Sequence, residues 1–232
     1  MLTWFFDLDN TLHDASHAIF PAINANMNRY IAQVLADAGL PSDSASVNAA
    51  RISYWQRYGA TLLGMVRHHQ IRPADFLLQA HCFDNLTSMI RAEVGLVHAL
   101  RRLPGHKILL TNAPHRYASQ VVRHLGLHRQ FTRSITIETM RVHGQLRPKP
   151  SRSMLRHLLA KKRLLPSRCV LVEDTIDNLK SARQLGLRTV WVTRYGITAP
   201  VGAPSTFIKR PRFADVKVKS VKQLSSQLRR LR

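Results

Sequence analysis

The sequence predicts an α/β protein, a Rossmann-like parallel sheet core interrupted by an inserted α-helical cap domain. Three observations carry that reading. Short apolar runs alternate with helical patterns from about residue 92 onward, the order that builds a parallel sheet with crossover helices. Residues 15–91 are helical in character and hold few strand signals, a stretch too long for a simple crossover. Acidic residues, scarce elsewhere, stand directly behind the apolar runs. The core is therefore assigned to residues 1–14 and 92–232, and the cap to residues 15–91.

Each element has its own signal. Leu2–Phe6 is a short apolar strand, followed by Asp7-Leu8-Asp9-Asn10-Thr11. Ile19, Ile23, Met27, Tyr30, Ile31, Val34 and Leu35 then share one helical face, with Gly39 as a stop. Pro41-Ser42-Asp43-Ser44 reads as a turn with a helix start, and breaks fall near Gly59, Gly64 and Pro73. Beyond residue 92, a helix carrying Val94, Val97, Leu100 and Leu103 stops at Pro104-Gly105. Strands are predicted at 107–110, 134–137, 168–172, 189–192 and 215–218. Helices are predicted at about 115–125 and 151–163, and up to Leu185, where Gly186 ends the third. A last helix closes the chain.

Composition narrows the functional classes. With 232 residues, 45% of them hydrophobic, the chain can bury a sizeable core plus one insertion. No uncharged apolar run approaches the roughly 18–20 residues that span a bilayer, and Met1-Leu2-Thr3 leads into a strand rather than a signal-peptide pattern. Cys82 and Cys169 form no disulfide framework. A cytoplasmic location is expected, with no membrane partner. The charge is unusual: 35 Lys and Arg against 13 Asp and Glu give +22. Such a balance attracts polyanions, yet the basic residues are scattered over the chain and also fit an ordinary solvated surface.

Ligands of open parallel sheets bind beyond the carboxyl ends of the strands. Asp7 and Asp9 follow the first strand, Thr111 and Asn112 the second, and Glu173 and Asp174 another. Four of 13 acids thus fall at two strand ends. Converging carboxylates repel one another and call for a cation, and hard oxygen donors beside a phosphate suit Mg²⁺. On an extended strand Asp7 and Asp9 would point the same way, with Leu8 turned to the core.

These residues match a known pattern. Phe6-Asp7-Leu8-Asp9-Asn10-Thr11-Leu12 resembles the first motif of haloacid-dehalogenase-like phosphatases. Leu110-Thr111-Asn112-Ala113 resembles the second, Lys149-Pro150 the third, and Val172-Glu173-Asp174-Thr175-Ile176-Asp177-Asn178 the fourth, all in family order. The resemblance implies a phosphomonoesterase working through an aspartyl-phosphate. Asp7 would be the nucleophile, Asp9 the general acid and base, Thr111 a donor to the phosphoryl group helped by the backbone amide of Asn112, and Lys149 a charge neutraliser. Mg²⁺ would be held by Asp7, the Asp9 backbone carbonyl, Asp174 and Glu173, the last directly or through water. Asp177 fits a first-turn helix aspartate equally well. The dehalogenases that name the superfamily lack an acid at the place of Asp9, so its presence favours phosphoryl transfer. A phosphomutase shares all four motifs.

Within the cap, Tyr54-Trp55-Gln56-Arg57-Tyr58-Gly59 through Gly64, then His68-His69, Asp75-Phe76 and His81, resembles the cap of pyrimidine 5′-nucleotidases. That resemblance implies a nucleoside monophosphate as substrate, with Tyr58 and Gly59 nearest the leaving group. Gly59 and Gly64 would let backbone approach the ligand. Helix packing accounts equally well for Tyr54, Trp55 and Tyr58. Phosphoglycolate or a sugar phosphate is the alternative substrate. The different class is a basic nucleic-acid-binding protein on a phosphatase fold, motivated by the charge and by Arg152 and Arg156 on one helix face.

Overall fold

The computed structural model describes residues 1–195 and 209–231. The chain folds as two compact units, Met1–Ser16 with Ile90–Arg232, and His17–Met89. The first strand, β1 (Thr3–Phe6), opens the first unit. Five helices lie in or close the second: α1 (Ile19–Asp37), α2 (Ser44–Tyr58), α3 (Thr61–His69), α4 (Pro73–Ala80) and α5 (Leu86–Met89). The first unit resumes with α6 (Leu96–Arg101), β2 (His106–Leu110), α7 (His115–His124), β3 (Arg133–Ile135), β4 (Arg141–Val142) and β5 (Gln145–Leu146). It ends with α8 (Arg152–Lys161), β6 (Cys169–Glu173), α9 (Ile176–Gln184), β7 (Arg188–Val192) and β8 (Val216–Val218), then a 3₁₀ segment at Val221–Arg230.

Six strands form one parallel sheet in the order β3-β2-β1-β6-β7-β8. Every residue of β1 and of β6 is buried, as expected for central strands covered on both faces. The chain moves from β1 to β2 on one side and later to β6 on the other. The strand order therefore reverses at β1, and its carboxyl end opens a crevice. Below the sheet, Met154, Leu155, Leu158 and Leu159 of α8 pack with Leu171, Leu179 and Trp191, while Arg152 and Arg156 face solvent. No described helix is long and apolar enough to cross a membrane.

Three local predictions differ from the structure. The strand expected at 134–137 stops at Ile135, and Ile137–Thr139 makes a 3₁₀ turn. That turn brings the Glu138 carboxylate to the His115 N–H at 2.7 Å, supplying the cap that Pro114 lacks at the start of α7. The hairpin β4–β5 was not predicted. Its two-residue strands are too short to show a period-2 pattern, although His143 and Gly144, both at positive φ, form its turn. The closing helix is 3₁₀ rather than α.

In the second unit, Asp43 caps α2 by accepting from the Ala45 and Ser46 N–H groups. Gly59 ends that helix at φ 79°. Gly64 serves a different purpose from the one expected. A Cβ there would lie 2.2 Å from Tyr54 Cγ, so the close approach it permits is between α3 and α2 rather than to a ligand. Tyr54 and Tyr58 are in turn pinned by His69 and His68, with O···N distances of 2.8 and 2.6 Å.

Gly64→Ala sets helix propensity, a gain of about 0.5–1 kcal/mol, against overpacking of about 1–3 kcal/mol. The clash is with the stem of Tyr54, not a flexible tip, so overpacking wins. A net loss of about 1 kcal/mol is expected in the denaturation midpoint. The same change in a Tyr54→Ala background is expected to stabilise; equal effects in both backgrounds would disprove the packing account.

Candidate active site

The central three strands deliver their side chains to one place. Asp7 continues β1, and its N–H donates to Val172 O in β6 at 3.0 Å, which puts Asp7 beside Glu173. Thr111 ends β2 and donates its N–H to Ile135 O at 3.0 Å. After Leu8 the chain turns at once: Thr11 and Leu12 donate backbone bonds to Leu8 O, and Asn10 sits at φ 58°. Its side-chain oxygen accepts from the Ala15 and Ser16 N–H groups, closing a loop that includes His13.

Lys149 lies at the centre of the site. Its ammonium is 3% exposed and donates to Asp7 Oδ1 at 2.6 Å and Glu173 Oε2 at 2.7 Å. Two features set its position. The β4–β5 hairpin precedes it, with Arg147 N–H donating to Met140 O at 2.7 Å. The Asn112 amide also pairs with its backbone in both directions, at 2.9 and 3.0 Å. Glu173 is held in turn, its Oε1 accepting from the Asp174 and Thr175 N–H groups. Trp191 Nε1 donates to Asp174 O at 2.9 Å.

Carboxylate oxygens of Asp7, Glu173 and Asp174 lie within 4.8 Å of one another. Burial, then the negative charge of Glu173, pushes Asp7 up to about 7 against the pull of Lys149. Burial, then Glu173 and Asp7, pushes Asp174 up to about 10. Lys149 moves upward too: burial opposes its charge, but Asp7 and Glu173 more than offset that. Two buried carboxylates and one half-buried one against a single ammonium leave an excess of negative charge. The donor set fits a divalent cation, whose charge would draw both raised acids back down.

Asp9 adds a further negative charge near Asp7 and has partners of its own. Its Oδ1 accepts from Tyr117 OH at 2.6 Å and lies 2.9 Å from His13 Nε2. Burial and then the Asp9 charge drive the Tyr117 hydroxyl far above its ordinary value, so it remains a donor.

A model of haloacid dehalogenase-like hydrolases matches residues 1–186. The chain belongs to that family. Its fold is similar to that of a haloacid dehalogenase-like (HAD) phosphatase from Thermococcus onnurineus, with TM-score 0.63 at 16% identity over 98% of both chains. It is also similar to a 2-haloacid dehalogenase from Pseudomonas syringae, with TM-score 0.59 at 20% identity over 100% of both chains. An L-2-haloacid dehalogenase from Xanthobacter autotrophicus gives TM-score 0.57 at 15% identity over 99% of both.

In this HAD chain, Asp7, Lys149, Glu173 and Asp174 come together, and Thr111 follows the neighbouring strand. The Thr111 oxygen accepts from the Ala113 N–H at 3.0 Å, which leaves its O–H as a donor. The Asn112 side chain is committed to the Lys149 backbone. β1 ends at Phe6 and the chain turns after Leu8, so Asp9 lies beyond the strand itself, and its charge still acts on Asp7. Asp177 is exposed in the first turn of α9. Tyr58 and Gly59 belong to the helical unit. Sequence reasoning missed Tyr117 and His13. Tyr117 reads as part of the apolar face it shares with Ala118, Val121 and Val122, and only its hydroxyl sets it apart.

The raised acids imply a signed pH effect. A carboxyl raised above its unfolded value of 3.8 binds more protons in the native state, so stability falls as pH rises towards the folded value. With chelator present, the denaturation midpoint is expected to fall between about pH 4 and 7 through Asp7 and Asp174 together. Asp174→Asn should flatten that slope, Asp177→Asn should not, and a saturating divalent cation should remove it. Identical slopes in the two variants would refute the charge-excess account.

Proposed function

We propose that this hydrolase is a Mg²⁺-dependent phosphomonoesterase with Asp7 as nucleophile and Asp9 as general acid and base. The division of labour between the two aspartates supports it. Asp7 shares a buried cluster with Lys149, Glu173 and Asp174, whereas Asp9 is engaged by a tyrosine and a histidine. Displacing a halide needs no proton, because halide is a stable anion. An alkoxide leaving from phosphorus does need one, and a carboxylic acid two residues from the nucleophile is suited to give it. That argument favours phosphate esters over the haloacids on which similar folds act.

In the first step the Asp7 carboxylate attacks phosphorus while the ester P–O bond breaks, and Asp9 protonates the departing oxygen. In the second, Asp9 takes a proton from water as that water attacks phosphorus and releases Asp7 and inorganic phosphate. Lys149 offsets negative charge on Asp7 and on the phosphoryl oxygens, and Thr111 donates its hydroxyl hydrogen to one of them. Held by Asp7, Asp174, the Asp9 carbonyl and Glu173, Mg²⁺ would supply charge neutralisation at the transferred group. A phosphomutase would share the first step and pass the phosphoryl group to a second substrate.

The proposal extends to a nucleoside 5′-monophosphate substrate, pyrimidine before purine. The helical unit carries a cluster of rings and cations suited to a base and a dianion: Tyr54 stacks on His68 at 5.3 Å, and Arg57 and Arg67 lie over the Tyr58 ring.

Asp7→Asn is expected to reduce phosphate release to background while the melting temperature holds. A folded variant with near-normal turnover would remove the nucleophile assignment. Halide release from 2-chloropropionate without phosphate release from any ester would replace the phosphatase reading with a dehalogenase. For the substrate, Tyr58→Leu should slow uridine 5′-monophosphate hydrolysis about 10-fold, the scale of lost base stacking, and p-nitrophenyl phosphate hydrolysis little. Gly59→Asn, tolerable at a left-handed cap, should act in the same sense. Equal losses on both substrates would leave the phosphatase without the nucleotide assignment.

A further inference from the structure

His13 is 0% exposed, and its Nδ1 is buried with no hydrogen-bond partner among the described residues. An unpartnered buried polar atom costs about 1–3 kcal/mol, which an apolar residue at this position would avoid. The ring's one polar engagement region is towards Asp9: Nε2 lies 2.9 Å from Oδ1 and 3.5 Å from the Tyr117 hydroxyl. Since Asp9 Oδ1 accepts, Nε2 carries the hydrogen. Tyr117 comes from α7, the helix behind Thr111 and Asn112, and is 2% exposed. Two buried donors from different segments therefore converge on one oxygen of one aspartate.

We propose that Tyr117 and His13 are positioning residues that clamp Asp9 Oδ1 so that Oδ2 exchanges the proton with the substrate. This rests on the phosphomonoesterase reading above. The balance is simple: the Oδ2 proton passes to the ester oxygen as its bond to phosphorus breaks and the Asp7 bond forms, and the attacking water later returns a proton to Oδ2. The clamp removes rotations of the Asp9 side chain that would otherwise be frozen in the transition state. It is needed only where the leaving group needs a proton.

That last condition supplies the test. kcat/KM is measured in wild type, Tyr117→Phe, His13→Leu and His13→Gln, with p-nitrophenyl phosphate, whose leaving group departs unprotonated, and with an alkyl phosphate, whose leaving group cannot. Tyr117→Phe keeps the ring and removes the hydroxyl. It and His13→Leu are expected to lower the alkyl phosphate value at least about 10-fold, within the range general acid catalysis spans, and the p-nitrophenyl phosphate value by less than about 3-fold. His13→Gln, which restores an N–H donor, should recover part of the loss. In an Asp9→Asn background Tyr117→Phe should add nothing. Equal losses on both esters, or a faster alkyl phosphate reaction in Tyr117→Phe, would overturn the clamp. Wild type that hydrolyses neither ester would instead overturn the phosphatase reading.

Discussion

The ion pairs of Lys149 impose the constraint on which the site depends. A buried ammonium is costly unless it is paired and hydrogen-bonded, and removing one partner of a buried ion pair costs about 3–5 kcal/mol. Asp7 and Glu173 provide those partners from adjacent central strands. Lys149 therefore couples the Asp7 and Glu173 carboxylates to the register of the sheet. The surroundings serve the same end: the Asn112 amide holds the Lys149 backbone, and the Asp174 and Thr175 N–H groups fix Glu173. Charge placement and backbone geometry cannot be varied independently here.

The sheet order explains why the site forms at β1. With β2 on one side and β6 on the other, the crossover helices leave in opposite senses and the carboxyl end of β1 is left open. Asp7, Thr111 and Glu173 stand at the ends of three neighbouring strands, so the rigidity of buried parallel strands becomes the precision of the site. The loop behind β1 carries the remaining chemistry, and Asn10, tolerant of the left-handed conformation, lets it turn within one residue of Asp9.

Much of this was legible in the sequence. The apolar runs of β1, β2, β6 and β7 announced a parallel sheet, and scarce acids at two strand ends announced the site. Legibility ended where a tertiary partner decided the outcome. The β4–β5 hairpin has no pattern of its own, yet it delivers Lys149. Glu173 reads as a metal ligand from its place in a motif, but its pairing with Lys149 depends on a residue 24 positions away. Gly64 looks like a hinge until Tyr54 is found against it. Tyr117 is 108 positions from Asp9, and nothing local marks it as a partner, whereas His13 is only four positions away.

Asp7 and Asp9 show how environment assigns roles to identical side chains. Both are aspartates behind one strand, separated by Leu8. Asp7 faces like charges and one lysine, an arrangement in which a bound cation and an ionised nucleophile support each other. Asp9 faces the Tyr117 hydroxyl and the His13 ring, both on Oδ1. On the proposed mechanism the nucleophile needs charge compensation, whereas the acid that becomes a base needs partners that hold it in place. Tyr117 of α7 and His13 of the loop behind β1 produce that difference, because both engage Asp9 Oδ1.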